Sequence, residues 1–193
     1  VIGEGKIATL CGYVGAPKIA EKIALQRDLS LITGINVAYH ANQLSCLESL
    51  EVLQKEKSQN SKISAGASVY HLFFNEQDLV DYDTSLRFSP PLRSEEDRLG
   101  LIDAVRDGLI DVVVSSHDPQ SFLKKMVPFP LASCGAPGLK TLLPAMLRLY
   151  HEGALALSRI VEVLATRPAQ LLGISAGTLQ KGADADLLLL DLE

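Results

Sequence analysis

The stretch Asp111-Val112-Val113-Val114-Ser115-Ser116-His117-Asp118-Pro119-Gln120 decides the fold. From Ile110 to Ser115 the chain is almost wholly apolar, and a strand buried on both faces reads this way. The residues that follow turn abruptly polar, as they do at the active-site end of a barrel strand. A metal hydrolase requires a carboxylate and an imidazole in such a loop, at the two places where this chain carries Ser116 and Gln120. The central question is whether the chain is an enzyme or the remains of one.

Upstream, the same rhythm recurs. Ile35 to Tyr39 and Ile63 to Val69 are β-prone runs, each feeding a polar or aromatic segment. Between them, Ser45 is placed to cap a helix over 46–57 whose apolar positions are Leu47, Leu50 and Leu53. Apolar residues at roughly helical spacing over 16–33 predict an earlier helix, which Gly34 ends. Asn75 to Leu79 reads as a short helix, and Thr84 to Phe88 as a weak extended stretch ended by Pro90-Pro91. Ser94-Glu95-Glu96-Asp97 opens a helix to about 107 with Leu99, Ile102 and Val105 as its buried face. After a long loop over 116–137, helices are predicted from Gly138 to Tyr150, over 157–165, and from Pro168 to Leu172. Thr178-Leu179 and Asp186 to Leu190 read as strands. Strands alternating with helices imply parallel pairing. Only about four core strands are present, so a closed eight-strand barrel is represented by half.

Composition bounds the rest. The chain has 193 residues, 47% of them hydrophobic and 21% charged, enough for a substantial core. A net charge of −5 argues against a general nucleic-acid surface. Cys11, Cys46 and Cys134 form no CxxC pair, so a reducing compartment, the cytoplasm, is expected. No apolar run reaches membrane-spanning length. Val1-Ile2-Gly3 does not read as a signal peptide; it reads as the middle of something longer or as a processed chain.

Four motifs together are specific: Tyr82-Asp83-Thr84; Ser89-Pro90-Pro91-Leu92-Arg93-Ser94-Glu95-Glu96-Asp97-Arg98; Asp107-Gly108-Leu109-Ile110-Asp111-Val112; and Gly177-Thr178-Leu179 continuing through Gly182-Ala183-Asp184-Ala185-Asp186-Leu187. On these the chain resembles, over nearly its whole length, the C-terminal part of dihydroorotases of the long bacterial class, in the amidohydrolase superfamily. The resemblance implies a zinc-dependent TIM-type (β/α)8 metallohydrolase barrel, α/β in class, with a small β domain. It implies interconversion of carbamoyl-aspartate and dihydroorotate in pyrimidine synthesis. The family's His-x-His pair and carboxylated lysine would precede Val1.

The positions within this chain depart from that pattern. The family's metal-binding histidine after its fifth strand corresponds to Gln43, with His40 three residues earlier. The His-His pair after the sixth strand corresponds to Tyr70-His71, and the first member is the expected ligand. The substrate-contacting Asn before Pro-Pro-Leu-Arg is Ser89. The eighth-strand Asp-His-Ala-Pro-His becomes Ser116-His117-Asp118-Pro119-Gln120, replacing the catalytic Asp by Ser116 and the last His by Gln120. Zinc favours imidazole and carboxylate donors. Gln and Ser are neutral, and a phenol is protonated at pH 7. Hydrolysis also needs a base for the metal-bound water, and Asp118 would reach the position of Ser116 only by loop rearrangement.

His40 and His71 read more simply as packing residues, and His117 as a pocket-lining residue. No nucleophile elbow surrounds Ser116. Arg93 binds an anion or anchors the loop after Pro91 through a carboxylate such as Glu96. Gly135-Ala136-Pro137-Gly138 either presents backbone amides to an anion or makes a tight turn. Phe122, Leu123, Met126, Val127 and Phe129, around Lys124-Lys125, suggest a loop that packs down or meets a partner.

The expected organisation is residues 1–172 as the second half of the barrel and 173–193 as C-terminal strands of the small β domain. A vestigial pocket is expected from Gln43, Tyr70, His71, Ser89, Arg93, Ser116, His117, Gln120, Gly135 and Gly138, none of them catalytic or metal-binding. No cofactor is expected in this segment; zinc is expected if residues upstream sustain a working cyclic amidohydrolase. The resemblance further implies aspartate carbamoyltransferase as a structural partner, and a homo-oligomer, with no nucleic acid and no membrane.

Overall fold

The structure, a computed structural model, describes residues 2–192. Its centre is a parallel three-stranded sheet of β3 (Tyr39–Ala41), β4 (Ile63–Ser68) and β5 (Val112–Val114), in that order. Tyr39 stands in register with Ile63, and Gly66 with Val112. Sequential parallel strands joined through helices are the repeating unit of a β/α barrel. Near the start, β1 (Ile2–Gly3) and β2 (Gly15–Ala16) form a second, short parallel pair around α1 (Lys6–Leu10), in a region whose sequence reads as irregular.

The outer layer is helical. α2 (Lys18–Ile32) packs on α3 (Leu47–Lys57), and α3 on α5 (Glu95–Arg106). Every residue of β4 is buried, as expected of a strand covered on both faces. Gly66 permits close approach there, because a Cβ would lie 3.1 Å from Val112 Cγ2 and 3.3 Å from His40 Nε2. Leu53, Ala65, Leu101 and Val105 are fully buried between sheet and helices.

Several local expectations are corrected. The first strand begins at Tyr39, where its N–H reaches Lys62 O (3.1 Å), so Ile35 and Val37 stay exposed in the approach. Ser45 does not cap α3: Cys46 occupies that position, and the Leu47 N–H is satisfied by Asp97 Oδ1 from α5 (3.0 Å). Asp97, fully buried, also closes the capping box with Ser94 and pairs with Lys18 Nζ at 2.5 Å. One carboxylate thus serves two helix N-termini and a lysine.

Leu99 is half exposed, while Leu101, Ile102, Ala104 and Val105 form the buried face of α5. At about 100° per residue, Leu99 lies on the far side of the helix from Leu101. Thr84–Leu86 is a 3-10 turn capped by Asp83, not an extended stretch. Glu76–Leu79 is a 3-10 turn capped by Asn75.

Beyond the long loop come α6 (Phe122–Lys125), α7 (Leu142–His151), and α8 (Leu157–Val161), which continues as a π-helical turn over Glu162–Thr166 into α9 (Arg167–Leu172). A left-handed Gly173 ends α9. The tail has no regular structure at Thr178-Leu179 or Asp186 to Leu190; no described strand pairs with either run, and Leu189 is 96% exposed. Without a neighbouring ladder such segments have no partner for their backbone groups.

Candidate functional site

The site lies where β3, β4 and β5 end. Two residues past β3, Gln43 has φ +54°, and the Leu44 N–H is tied to Gly66 O at 2.9 Å. β4 passes directly into α4 (Val69–Phe73), whose N-cap Ser68 accepts from the Tyr70 N–H. That immediate strand-to-helix turn sets Tyr70 and His71 in the wall of the site. Past β5, Ser116 has φ +47°, and His117 bridges in parallel to Ala136.

The result is a cavity of about 250 Å³ lined by Gln43, Ser68, Tyr70, His71, Phe88, Ser89, Ser116, His117, Asp118, Cys134 and Gly135. Of the expected pocket residues, Gln43, Tyr70, His71, Ser89, Ser116, His117 and Gly135 come together here. Three do not line it. Arg93 is buried elsewhere: its Nε donates to Ser45 Oγ (3.1 Å), its NH1 to Ala16 O (2.6 Å), and its carboxylate neighbour is Glu21 at 3.8 Å, not Glu96. It ties β2 to the start of α3 because a buried guanidinium must satisfy its fork of donors. Gln120 turns back, donating from Nε2 to Asp118 Oδ1 at 2.8 Å. Gly138 lies behind His117; a Cβ there would collide with Ser115 O and come within 3.0 Å of the Tyr70 hydroxyl.

The amides of the Gly135–Gly138 turn are already engaged. Gly135 N–H donates to Arg87 O (2.9 Å), and Gly138 N–H to His117 Nδ1 (3.0 Å). The turn is therefore a close-approach device, not an anion cradle. Gly135, at φ +106°, would drive a Cβ to 2.5 Å from the Asp118 carbonyl and carboxylate oxygens. His40 also lies outside the cavity, with Nδ1 2.8 Å from Ser64 Oγ.

Sequence reasoning missed Ser68, Phe88 and Cys134 as lining residues. Asp118 also borders the cavity. The alternation of the strand ends into short turns was the available signal for Ser68. Nothing local pointed to Cys134, which the bridge between His117 and Ala136 brings across.

Burial shapes the electrostatics of the imidazole and the phenol in the wall, and Asp118 brings a carboxylate to the lining. Nε2 of His71 faces the carbonyls of Pro90 (3.1 Å) and Pro91 (3.3 Å), so that nitrogen carries the proton. Burial pushes the His71 pKa down to about 4, leaving the ring neutral at pH 7. Burial pushes the Tyr70 phenol up, so it stays protonated. His71 Nδ1 and Ser116 Oγ are buried without a hydrogen-bond partner, while the Tyr70 hydroxyl meets the side chain of Thr141. Tyr70 stacks on Phe88 with ring centroids 4.3 Å apart. Gln43, Tyr70 and Ser116 offer zinc only an amide, a phenol and a hydroxyl, poor donors beside imidazole, thiolate and carboxylate, and the zinc-type donors that also line the cavity, His71, His117, Asp118 and Cys134, are not gathered into a site. Among the described residues, no group of three or more His, Cys, Asp or Glu side chains is gathered to hold a metal ion.

The loop after the cavity packs down at its base. Lys125 Nζ donates to Thr84 O (2.8 Å) and Ser133 O (2.9 Å), and buried Phe129 stacks on Tyr13. Phe122, Leu123 and Met126 remain outside, 65–78% exposed.

Comparison with known proteins places these features. The model of the "Amidohydrolase family" matches residues 19–193. A dihydroorotase of Ehrlichia canis is 36% identical over 99% of this chain and 43% of its own length; one of Aquifex aeolicus is 36% identical over 99% and 45%. Among solved structures, an L-hydantoinase (dihydropyrimidinase) from Arthrobacter aurescens superposes with a TM-score of 0.81 and 30% identity, over 85% of this chain and 38% of that one. The chain spans less than half the length of the curated relatives it matches. A partial parallel barrel, strand ends converging on one polar cavity and a family match over most of the chain agree: this chain belongs to the amidohydrolase family and is dihydroorotase-related.

Proposed function

We propose that this chain is the second half of a dihydroorotase-type barrel that no longer catalyses, retained as a structural partner of aspartate carbamoyltransferase in the cytoplasm. The observation that carries the reading is the donor set of the cavity. Gln43, Tyr70 and Ser116 meet there with a neutral His71, and none of the first three is an effective zinc ligand or water-activating base at pH 7. Framework and chemistry have separated: the strand-end turns, the buried Arg93 anchor and the Asp97 double cap persist. A retained framework with lost chemistry points to a surface still under use, and the exposed Phe122, Leu123 and Met126 in the loop after Gln120 supply apolar area for it. On this reading residues 173–193 belong to a small β domain whose other strands come from elsewhere in the protein, and the protein self-associates.

The test is metal content and turnover on the full-length protein. Fewer than about 0.1 zinc per chain, no hydrolysis of dihydroorotate above background, and co-elution with aspartate carbamoyltransferase are expected. One zinc per chain, with turnover that chelation abolishes, refutes it.

A further inference from the structure

We propose that the strand-end cavity is a binding site for a small, flat, uncharged molecule carrying both hydrogen-bond donors and acceptors, taken up without a metal ion and selected against carboxylates. The inference deepens the non-catalytic reading of the same site and rests on it.

Charge is the first argument. Among the described residues no lysine or arginine lines the cavity; its one carboxylate is Asp118. Arg93, the residue that would greet an anion, is turned away and saturated by Ala16 O, Ser45 Oγ and Glu21. Lys125 is held on the carbonyls of Thr84 and Ser133. A carboxylate entering the cavity would lose its hydration, meet no cation from these residues and approach Asp118, each an unfavourable change.

Hydrogen-bonding capacity is the second. His117 Nδ1 accepts from Gly138 N–H (3.0 Å) and Leu139 N–H (3.3 Å), which places its proton on Nε2 and makes that edge a donor. His71 is the same tautomer with the opposite free edge: its Nε2 proton is committed to Pro90 O, and Nδ1 is left as an acceptor with no partner. The hydroxyl of Ser116 also lacks a partner. Buried polar atoms left unpaired are unfavourable, and two of them in the wall of one cavity describe a site that favours a polar guest. The stacked Tyr70–Phe88 pair adds an apolar, flat wall. The cavity, at about 250 Å³, accommodates a single-ring molecule.

Benzamide, benzoate and benzamidine share one shape and differ in charge: neutral, anionic and cationic. Binding to the full-length protein at pH 7.5 is measured by titration calorimetry or ligand-observed NMR. Benzamide is expected to bind at roughly millimolar strength, as suits so small a ligand, with benzoate at least tenfold weaker and benzamidine also weaker. Ser116→Gly, which keeps a residue suited to φ +47°, is expected to weaken benzamide about three- to tenfold. Gln43→Gly, equally suited to its φ of +54°, serves as a second variant and is expected to weaken it as well. Benzoate or benzamidine binding as tightly as benzamide, no binding of benzamide, or benzamide binding unchanged in both variants overturns the proposal. The two readings of the site fail separately: zinc content and turnover decide catalysis, and the charge order of the probes decides the ligand class.

Discussion

Ser116→Gly is expected to stabilise the protein. Serine at φ +47° sits in the left-handed region, which disfavours a residue with a Cβ by roughly 1–2 kcal/mol. Its hydroxyl is buried and unpaired, a further cost of about 1–3 kcal/mol. Glycine removes both terms and loses about 0.5–1 kcal/mol through the greater freedom of the unfolded chain. The balance is a gain of about 1–4.5 kcal/mol, read as a raised melting temperature and urea midpoint. Thermal and urea unfolding of the full-length protein read this directly. Ser116→Ala separates the terms: it removes the hydroxyl and keeps the Cβ, so it should gain less than glycine. A glycine variant less stable than the parent would refute the reasoning, because it would mean that Ser116 makes a stabilising contact worth more than the backbone strain. On the non-catalytic reading proposed above, the strain at Ser116 can be relieved with no catalytic loss.

The buried His71 makes stability depend on pH. Its folded pKa of about 4 lies below the ordinary 6.5, so the unfolded chain takes up the extra proton between those values. The contribution is complete above about pH 6.5 and is lost as pH falls toward 4, at up to about 1.4 kcal/mol per pH unit. His71→Gln, which can still donate to the Pro90 carbonyl, should flatten that slope in urea titrations at pH 7, 6 and 5; an unchanged slope rejects the burial of a neutral ring. Asp97→Ala should cost about 3–5 kcal/mol, since it strands Lys18 and leaves the Leu47 N–H without its acceptor. The double variant with Lys18→Met should recover part of that loss, and a strictly additive result would show that the pair is not coupled.

Much of the framework was legible in sequence because it is written in local periodicity. The apolar run at Ile110–Ser115 yields β5 and the 46–57 spacing yields α3; Ser94 to Asp97 make the capping box of α5. The failures have a common cause. Ser45 is a good cap by type, but Glu21 from the preceding helix takes its hydroxyl and backbone N–H. Arg93 had a plausible carboxylate three residues away in Glu96, yet it bonds across the fold to residues 77 and 48 positions distant. Thr178 and Asp186 to Leu190 have strand-forming composition, but a strand exists only with a partner, and none lies beside them among the described residues.

The sequence by itself determined the family and the β/α order of the chain, because side-chain identity and short-range spacing carry that information. Only the tertiary structure decided which of the expected pocket residues share a cavity, that Arg93, Gln120 and Gly138 stand outside it, and that Asp118 and Cys134 border it. It also decided the state of the imidazoles: which nitrogen of His71 and His117 holds the proton depends on the carbonyls of Pro90 and the amides of Gly138 and Leu139. Those partners are brought from 19 to 22 residues away, and burial and hydrogen bonding at that range are properties of the folded chain, not of any local stretch.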